Sequence, residues 1–295
     1  MKNTGLALCG GGILGAFQAG FMYNLPEQTD FSCVSGASIG AVNACLLYSG
    51  NKETLKNFWF NIGDDMPDIT PSLFNLNSMF ISGAKNFTRP RSDFWNLFLD
   101  GLHITDCSPF IKFISKHVDF NKINSLNSPI IYISATDIQK GTDKLFTNKE
   151  INIDNLTASF SIPEIFPFKY IDDKAYWDGA FTRNPALLPM LDNDIDEIWI
   201  VKLIKQQGAI PKTKDELRLR MNEITFNNSL RLEIDFMRRL NNYCDKIPGM
   251  DKHYRKITIK TIELDMELEP YYPLYADKKL IKRLWDYGAK KAMDI

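Results

Sequence analysis

A serine between two glycines is the first group in this sequence that could do chemistry. Gly36, Ser38 and Gly40 form a G-x-S-x-G motif that follows a short apolar segment and precedes an Ala-rich one. In a nucleophile elbow, such a serine lies on a sharp turn between a strand and a helix, and the glycines prevent clashes across that turn. The motif predicts that Ser38 is the nucleophile of an acyl transfer, with an ordinary strand-to-helix turn as the alternative.

A run of glycines near the amino terminus could bind a phosphate or an oxyanion. Gly10, Gly12 and Gly15 fit the G-x-G-x-x-G pattern of dinucleotide-binding folds, which require an acidic residue at the end of the second strand. That strand is expected to end at Ser35, where no acidic residue lies. Consecutive glycines can instead direct backbone N–H groups at the oxyanion of an attacked ester. Because Ser38 is expected on the adjacent turn, the sequence favours an oxyanion hole.

A base that activates the serine is the third requirement. The three histidines, His103, His117 and His253, lie in neither a glycine-rich nor a strand-end context, although a Ser-His-Asp triad stays open. Asp178 is the stronger candidate, because it ends an apolar segment and Gly179 lets the chain turn directly after it. A plain Asp-Gly hairpin turn is the alternative interpretation of this local pattern.

The elements that must position these residues alternate between strands and helices. Short apolar segments predict strands over 5–9, 31–35, 129–136, 197–204 and 256–264. Helical spacing of apolar residues predicts helices over 13–25, 39–48, 109–117, 154–161, 213–242 and 277–293, with Asp154 as a candidate cap of the fourth. Strand, turn and helix occur twice in about the first fifty residues, which indicates an α/β fold with a mainly parallel central sheet.

Residues 61–102 break this alternation. They are rich in Asn, Ser and Pro but also carry many large apolar residues, which a solvated polar loop would not. We interpret the segment as a cap over the sheet, with an ordinary packed insertion as the alternative. The sequence contains no repeat, linker or low-complexity segment, so residues 1–295 are predicted to form a single domain.

Composition and charge argue against several classes of protein. The 295 residues are 44% hydrophobic and 24% charged, as in ordinary globular proteins, and the net charge of −1 gives no electrostatic case for nucleic acid as a partner. We find no signal peptide and no apolar stretch of about 18 residues, and the five cysteines lack metal-ligand spacing. We therefore expect a cytoplasmic protein without a structural metal.

Four sequence blocks resemble the pattern of patatin-like phospholipases in order and rough spacing. They are Gly10–Gly15, Gly36–Gly40, Asp178–Ala180 and Thr157–Pro167, of which the last is similar to the family's A-S-x-x-x-P-x-x-F-P segment. The resemblance implies a three-layer α/β/α sandwich with a Ser-Asp dyad and no metal or organic cofactor. It extends to about Pro185, and residues 205–295 are expected to be a family-variable carboxyl-terminal part.

The resemblance also implies roles for single residues. Asp178 would accept the proton of Ser38 as the serine attacks an ester carbonyl, and water activated by Asp178 would later release a fatty acid from the acyl-enzyme. Gly10, Gly11 and Gly12 would form the oxyanion hole; Gly15, Gly36, Gly40 and Gly179 would support the elbow and loops; Pro163, Phe166 and Phe168 would line the acyl pocket. A rigid turn under the sheet is the alternative for the last three.

Leu14 is a departure from the family pattern, which usually has Arg or Lys just before the last glycine of the loop. The missing cation favours lysophospholipids, neutral glycerides or thioesters as substrates. The implied function is hydrolysis of lipid acyl esters, in phospholipids, lysophospholipids or related lipids. The alternatives are an acyltransferase or thioesterase with the same dyad, and a non-catalytic lipid-binding or interaction protein on the same fold.

Partners other than a lipid or acyl ester stay open, including a membrane surface, an activator and a second copy of the chain. The helix expected over 277–293 carries six basic residues beside an apolar stripe. Such a helix can dock on anionic headgroups. We prefer the interpretation that its apolar side packs on the core.

Overall fold

Buried apolar segments form a mixed sheet, of which the structure describes eight strands. The computed structural model describes residues 2–65, 106–163, 165–250, 254–268 and 277–295. The strands are β1 (Thr4–Leu8), β2 (Cys33–Ala37), β3 (Ile130–Asp137), β4 (Thr142–Thr147), β5 (Lys169–Ile171), β6 (Lys174–Asp178), β7 (Glu197–Lys202) and β8 (Thr258–Glu263). Their spatial order is β5-β6-β3-β2-β1-β7-β8, and β4 also pairs with β3.

Parallel pairing brings several strand ends to the same edge of the sheet. β1 pairs in parallel with β2 and β7, β2 with β3, and β7 with β8. β4, β6 and β5 add antiparallel pairs on the β3 side. The register aligns Leu8 with Gly36, so the glycine loop and Ser38 follow neighbouring strands. Asp178 lies opposite Ala135 of β3, which brings its turn to the same edge.

Helices cover both faces of the sheet, and this confirms the predicted three-layer α/β/α sandwich. Leu6 and Leu8 of β1 belong to one apolar core, whereas Ala7 and Cys9 belong to another, as alternation along a strand requires. The described helices are α1 (Gly15–Asn24), α2 (Ile39–Ser49), α3 (Lys52–Asp65), α4 (Ser108–His117), α5 (Phe120–Ser125), α6 (Ile153–Phe160), α7 (Lys214–Lys246) and α8 (Lys278–Met293).

The long helix α7 begins where its sequence provides a capping box. The Thr213 hydroxyl accepts the N–H of Glu216, and the Glu216 carboxylate accepts the N–H of Thr213. The helix then packs Leu230 and Met237 on the core that contains Ala7. Its packed side thus closes one face of the sheet.

The terminal helix α8 packs its apolar side on α1. Ile281, Leu284 and Trp285 are buried, which agrees with the core-packing interpretation of its apolar stripe. The backbones of α1 and α8 approach closely, because a Cβ at Gly20 would overlap the carbonyl oxygen of Trp285. Two adjacent helices of this spacing require glycine at the crossing point.

Several details differ from the sequence prediction. Asp154 does not cap α6, because the Asn152 side chain accepts the N–H groups of Asp154 and Asn155 at 2.9 and 3.0 Å. Residues 61–65 are the end of α3 rather than the start of a cap, and residues 66–102 lie outside the described residues. The strands β4 and β5 were not predicted, because they are short or carry many polar side chains.

Candidate active site

Ser38 lies on the turn between β2 and α2. Its backbone has φ 53° and ψ −126°, with φ in the left-handed region that residues with a side chain rarely adopt. Strain of this kind persists only where the surrounding structure holds it. Gly36 lies within β2, and Gly40 lies in the first turn of α2, where a Cβ would overlap the carbonyl oxygen of Leu8. Glycine at position 40 therefore lets β1 approach this turn.

The backbone of Ser38 is also held by Ser159 of α6. The Ser38 N–H donates to Ser159 Oγ at 3.0 Å, and both residues are buried. This N–H is therefore engaged and does not face an oxyanion. Ser159 belongs to the block Thr157–Pro167 that the family resemblance singled out, so this block contacts the serine turn directly.

Asp178 ends β6, and only 1% of it is exposed. Burial raises its pKa from 3.8 to about 7, although hydrogen bonding from the Ser38 hydroxyl and the Ala180 N–H opposes the rise. Ala180 N–H donates to Oδ1 at 2.8 Å, whereas Oδ2 has no hydrogen bond of regular geometry to the described residues. The Ser38 hydroxyl is thus close enough to affect this carboxylate, although no hydrogen bond of regular geometry joins the two groups.

Backbone contacts fix the turn that carries Asp178. Its N–H donates to the carbonyl oxygen of Ser161 at 2.9 Å, and its own carbonyl oxygen accepts the Thr136 hydroxyl at 2.8 Å. A Cβ at Gly179 would overlap the carbonyl oxygen of Ser134, so glycine lets the turn lie against β3. A 3-10 turn follows directly, instead of the two-residue hairpin that was the alternative interpretation.

The glycine loop runs from the end of β1 into α1. The Gly10 N–H donates to Asn184 Oδ1 at 2.5 Å, so this N–H is engaged and unavailable to an oxyanion. The N–H groups of Gly11 and Gly12 have no hydrogen-bond partner among the residues that the structure describes. They are therefore the donors that the loop leaves free, while Gly15 begins α1 after one 3-10 turn.

Buried amide side chains hold the same loop from its helical side. Gln18 Nε2 donates to the carbonyl oxygen of Cys9 at 2.8 Å, and Asn43 Nδ2 donates to that of Gly15 at 3.0 Å. Asn43 Nδ2 also bonds to Gln18 Oε1 at 3.1 Å, and Trp59 Nε1 donates to Asn43 Oδ1 at 2.9 Å. Because each amide is paired, this network adds rigidity without an unsatisfied polar group.

The three predicted acyl-pocket residues have different environments. Phe166 is buried, and its ring centre lies 6.3 Å from that of Phe160. Phe168 is 50% exposed and contacts Tyr170. Pro163 is half-buried in the turn after α6. Only Phe166 has the burial expected of an enclosed pocket wall, and the pocket itself stays a prediction.

A cavity of about 430 Å³ lies between α7, the turn from β3 to β4 and the segment 182–188 that follows the Asp178 turn. Its volume is in the range that small ligands occupy. Its apolar surface comes from Leu188 and from exposed positions of α7, and none of the three predicted acyl-pocket residues lines it. The lining includes Asp143, Thr182, Arg183, Leu188, Leu232 and Phe236.

The other reactive side chains near these elements are engaged elsewhere. His117 Nδ1 lies 2.9 Å from the carbonyl oxygen of Phe113, on its own helix α4. His103 and His253 lie outside the described residues. Burial raises the pKa of Cys9 to about 12, so the thiol beside the glycine loop stays protonated at neutral pH.

Two further findings concern metal binding and membrane-spanning helices. In the described ranges, no group of three or more His, Cys, Asp or Glu residues could bind a metal ion. None of the helices in those ranges is long and apolar enough to cross a membrane.

Sequence analysis did not identify Thr136, Ser159 or Asn184 as parts of this site. Ser159 could have been found, because it is the serine of the A-S block in the family resemblance. Asn184 lies six residues after Asp178, but nothing local indicates that its side chain reaches Gly10, which is 174 residues away in sequence. Contacts of this kind follow from sheet topology and have no short-range signal.

Comparisons with known proteins give one family and one solved structure. A family model described as "Patatin-like phospholipase" matches residues 6–191. The crystal structure of VipD from Legionella pneumophila aligns with a TM-score of 0.39 at 12% sequence identity, covering 97% of this chain and 67% of that one. No curated protein matches the chain with significance.

Proposed function

The chain belongs to the patatin-like phospholipase family, a family of lipid hydrolases, and we propose that it cleaves lipid acyl esters through Ser38 and Asp178. The observation that carries the proposal is the buried carboxylate of Asp178, whose Oδ2 has no hydrogen bond to the described residues and whose turn lies at the same edge of the sheet as Ser38. Burial raises the pKa of this carboxylate to about 7. A carboxylate with this pKa is basic enough to accept a proton near neutral pH and acidic enough to return it. The strained turn at Ser38 and the free N–H groups of the glycine loop support the same chemistry.

In the first half of the proposed reaction, Ser38 Oγ attacks the carbonyl carbon of the ester. The hydroxyl proton passes to Asp178, for which Oδ2 is the oxygen without a regular hydrogen bond. The carbonyl oxygen becomes an oxyanion that the N–H groups of Gly11 and Gly12 stabilise. Collapse of this intermediate breaks the ester bond, and the leaving alcohol takes the proton from Asp178. The acyl group stays on Ser38.

The second half of the proposed reaction uses the same groups, with water in place of the serine hydroxyl as the nucleophile. Asp178 removes a proton from water, and the resulting hydroxide attacks the acyl carbonyl carbon. The oxyanion again lies at the loop N–H groups, and its collapse releases the fatty acid. The proton held by Asp178 returns to Ser38 Oγ. The scheme needs no cofactor, because every proton moves between the dyad, substrate and water.

Leu14 affects which class of lipid we expect as the substrate. It is buried, so the position at which the family usually carries a cation faces the core in this chain. We therefore propose that lysophospholipids, neutral glycerides or related esters are better substrates than lipids whose phosphate must be bound at this loop. A panel of esters with equal acyl chains but different headgroups would test the order. Faster cleavage of a diacyl phospholipid than of the matched glyceride would contradict it.

Labelling with a fluorophosphonate probe tests the nucleophile. We expect covalent labelling of the wild type, none of Ser38→Ala, and at least about 100-fold slower labelling of Asp178→Asn, since removal of a catalytic base costs about that much or more. Ser35→Ala is a matched control, because Ser35 Oγ is buried three residues away in β2 without a hydrogen bond to the described residues. Undiminished labelling of Ser38→Ala would refute the proposal.

Hydrolysis and acyl transfer differ only in the acceptor that attacks the acyl-enzyme. Release of fatty acid in water, measured with and without added alcohols or lysolipids, separates the two. We expect free fatty acid as the main product. An acyl ester of the added acceptor as the main product would instead identify a transferase with the same dyad.

A further inference from the structure

Asn184 contacts the glycine loop beside the proposed nucleophile. Its Oδ1 accepts the N–H of Gly10 at 2.5 Å, and Asn184 is buried. Gly10 in turn lies against the elbow, because a Cβ there would be 2.9 Å from Ser38 Cβ and 3.2 Å from Asn184 Oδ1. The Asn184 amide and Ser38 therefore both lie against Gly10, the residue that precedes the free N–H groups.

The position of Asn184 is itself fixed by α7. Its N–H donates to Ser229 Oγ at 3.3 Å. Next to it, buried Glu233 accepts the N–H groups of Leu187 and Leu188 at 2.7 and 2.9 Å and forms an ion pair with Arg183. Bonds on both sides of Asn184 thus attach the chain after Asp178 to a long helix. A side chain anchored in this way can hold another loop in a defined place.

We propose that Asn184 is a positioning residue that sets the glycine loop, and with it the N–H groups of Gly11 and Gly12, relative to Ser38. This inference rests on the proposed function, in which these groups stabilise the oxyanion. Asn184 acts through Gly10 and does not touch the reacting atoms. Because oxyanion stabilisation depends on donor position, a displacement of about 1 Å in the loop can lower the rate about 100-fold.

The same contact explains why Gly10 is a member of the loop but not a donor. Its N–H donates to Asn184 Oδ1, and this hydrogen bond orients the peptide before Gly11. Without the Asn184 side chain, this buried N–H would lose its acceptor, and the loop would rearrange to reach water or another oxygen. The effect should appear in the chemical step, because the oxyanion that the loop N–H groups stabilise forms only there.

The test compares Asn184→Ala with Asn148→Ala in hydrolysis of p-nitrophenyl butyrate. Asn148 is a matched control: it is also buried, and its Oδ1 accepts a backbone N–H, that of Ile131, at 2.6 Å. Ile131 lies at the start of β3, away from the strand ends that Ser38 and the glycine loop follow. For Asn184→Ala we expect kcat to fall about 10- to 100-fold with KM changed less than about threefold. For Asn148→Ala we expect a comparable loss of thermal stability with kcat within about twofold.

Each outcome decides the inference. Unchanged kcat in Asn184→Ala, or equal loss of kcat in both variants, would overturn the positioning role, as would a rise in KM without a fall in kcat. If Asn184→Ala does not fold, Asn184→Ser replaces it in the test, because the serine side chain is too short to reach the Gly10 N–H. If the wild type shows neither esterase activity nor fluorophosphonate labelling, the proposed function itself fails. If the wild type is active and the variant is equally active, only the positioning role fails.

Discussion

At the scale of single residues, the proposed reaction depends on the charge state of Asp178. A solvated aspartate is too weak a base to take a proton from serine at neutral pH. Burial at the end of β6 moves the pKa of Asp178 to about 7, where it can accept and donate a proton. The same burial makes its ionised form costly to the fold, so the proposed catalysis and the stability of the fold have opposite requirements here.

The pH dependence of catalysis follows from this pKa. Since only ionised Asp178 can accept the serine proton, kcat/KM should rise about tenfold per pH unit below about 7 and level off above it. The measurement uses an uncharged p-nitrophenyl ester between pH 5 and 9. A variant with His103, His117 and His253 all replaced by Asn should keep the profile. Loss of activity in that variant would favour the triad instead.

The stability of the fold should depend on pH in the opposite sense. Folded Asp178 keeps its proton up to about pH 7, whereas in the unfolded chain it ionises near 3.8, so unfolding releases a proton in this window. Raising the pH from 4 to 8 therefore lowers the contribution of Asp178 to stability by a few kcal/mol. We expect urea unfolding to show that Asp178→Asn becomes increasingly stable relative to wild type across this range. A difference that does not change with pH would contradict the raised pKa.

At the scale of elements, the crossing of α1 and α8 places the helix that follows the glycine loop. Gly20 of α1 faces the backbone of α8, and Gly288 of α8 faces that of α1. α1 also carries Gln18, whose side chain holds the end of β1. The close packing of α1 on α8 therefore also affects where Gln18 holds the start of the glycine loop.

Substitution of Gly288 tests this crossing. In an exposed helix, Gly→Ala stabilises by about 1 kcal/mol. At position 288, however, the Cβ would overlap the carbonyl oxygen of Phe17, so we expect destabilisation by about 1 to 3 kcal/mol in urea unfolding. Lys290→Ala, at an exposed position of the same helix, should change stability by less than about 0.5 kcal/mol. A more stable Gly288→Ala variant would show that α1 and α8 do not approach so closely.

At the scale of the whole molecule, the part of the chain after the family match completes the fold. The match ends at residue 191, yet β8 pairs with β7 from Thr258 to Glu263, and α8 packs on α1. α7 anchors the chain that follows Asp178 through Ser229 and Glu233. We therefore propose that the full chain folds as one domain, with residues 205–295 as an integral part whatever their variability in the family.

Truncation tests the single-domain proposal. A chain that ends at residue 204 would lose the partner strand of β7 and the helices that cover α1 and one face of the sheet. We expect it to show no cooperative urea transition by tryptophan fluorescence, whereas the full chain unfolds in one transition that coincides by fluorescence and far-UV circular dichroism. A cooperative transition in the truncated chain would indicate an independent amino-terminal domain.

The sequence by itself determined most of the strands and helices and the order of the candidate reactive groups. Apolar segments predicted β1, β2, β3, β7 and β8 to within a few residues, because the side chains of a buried strand are themselves mostly apolar. The elbow motif predicted where Ser38 would lie, since glycine and serine at that spacing suit a strand-to-helix turn. Asp178 was predicted in the same way, from an apolar segment that ends in Asp-Gly, and its role as the base stays a prediction.

Only the tertiary structure decided which groups meet and what their surroundings do to them. The bond between Gly10 and Asn184, the contact of Ser159 with Ser38 and the raised pKa of Asp178 all arise where the sheet brings distant segments together. Burial and hydrogen-bond geometry depend on neighbours in space, and a linear pattern of residues records neighbours in sequence alone. For that reason the candidate reactive groups could be proposed from the sequence, but their positions and surroundings could not.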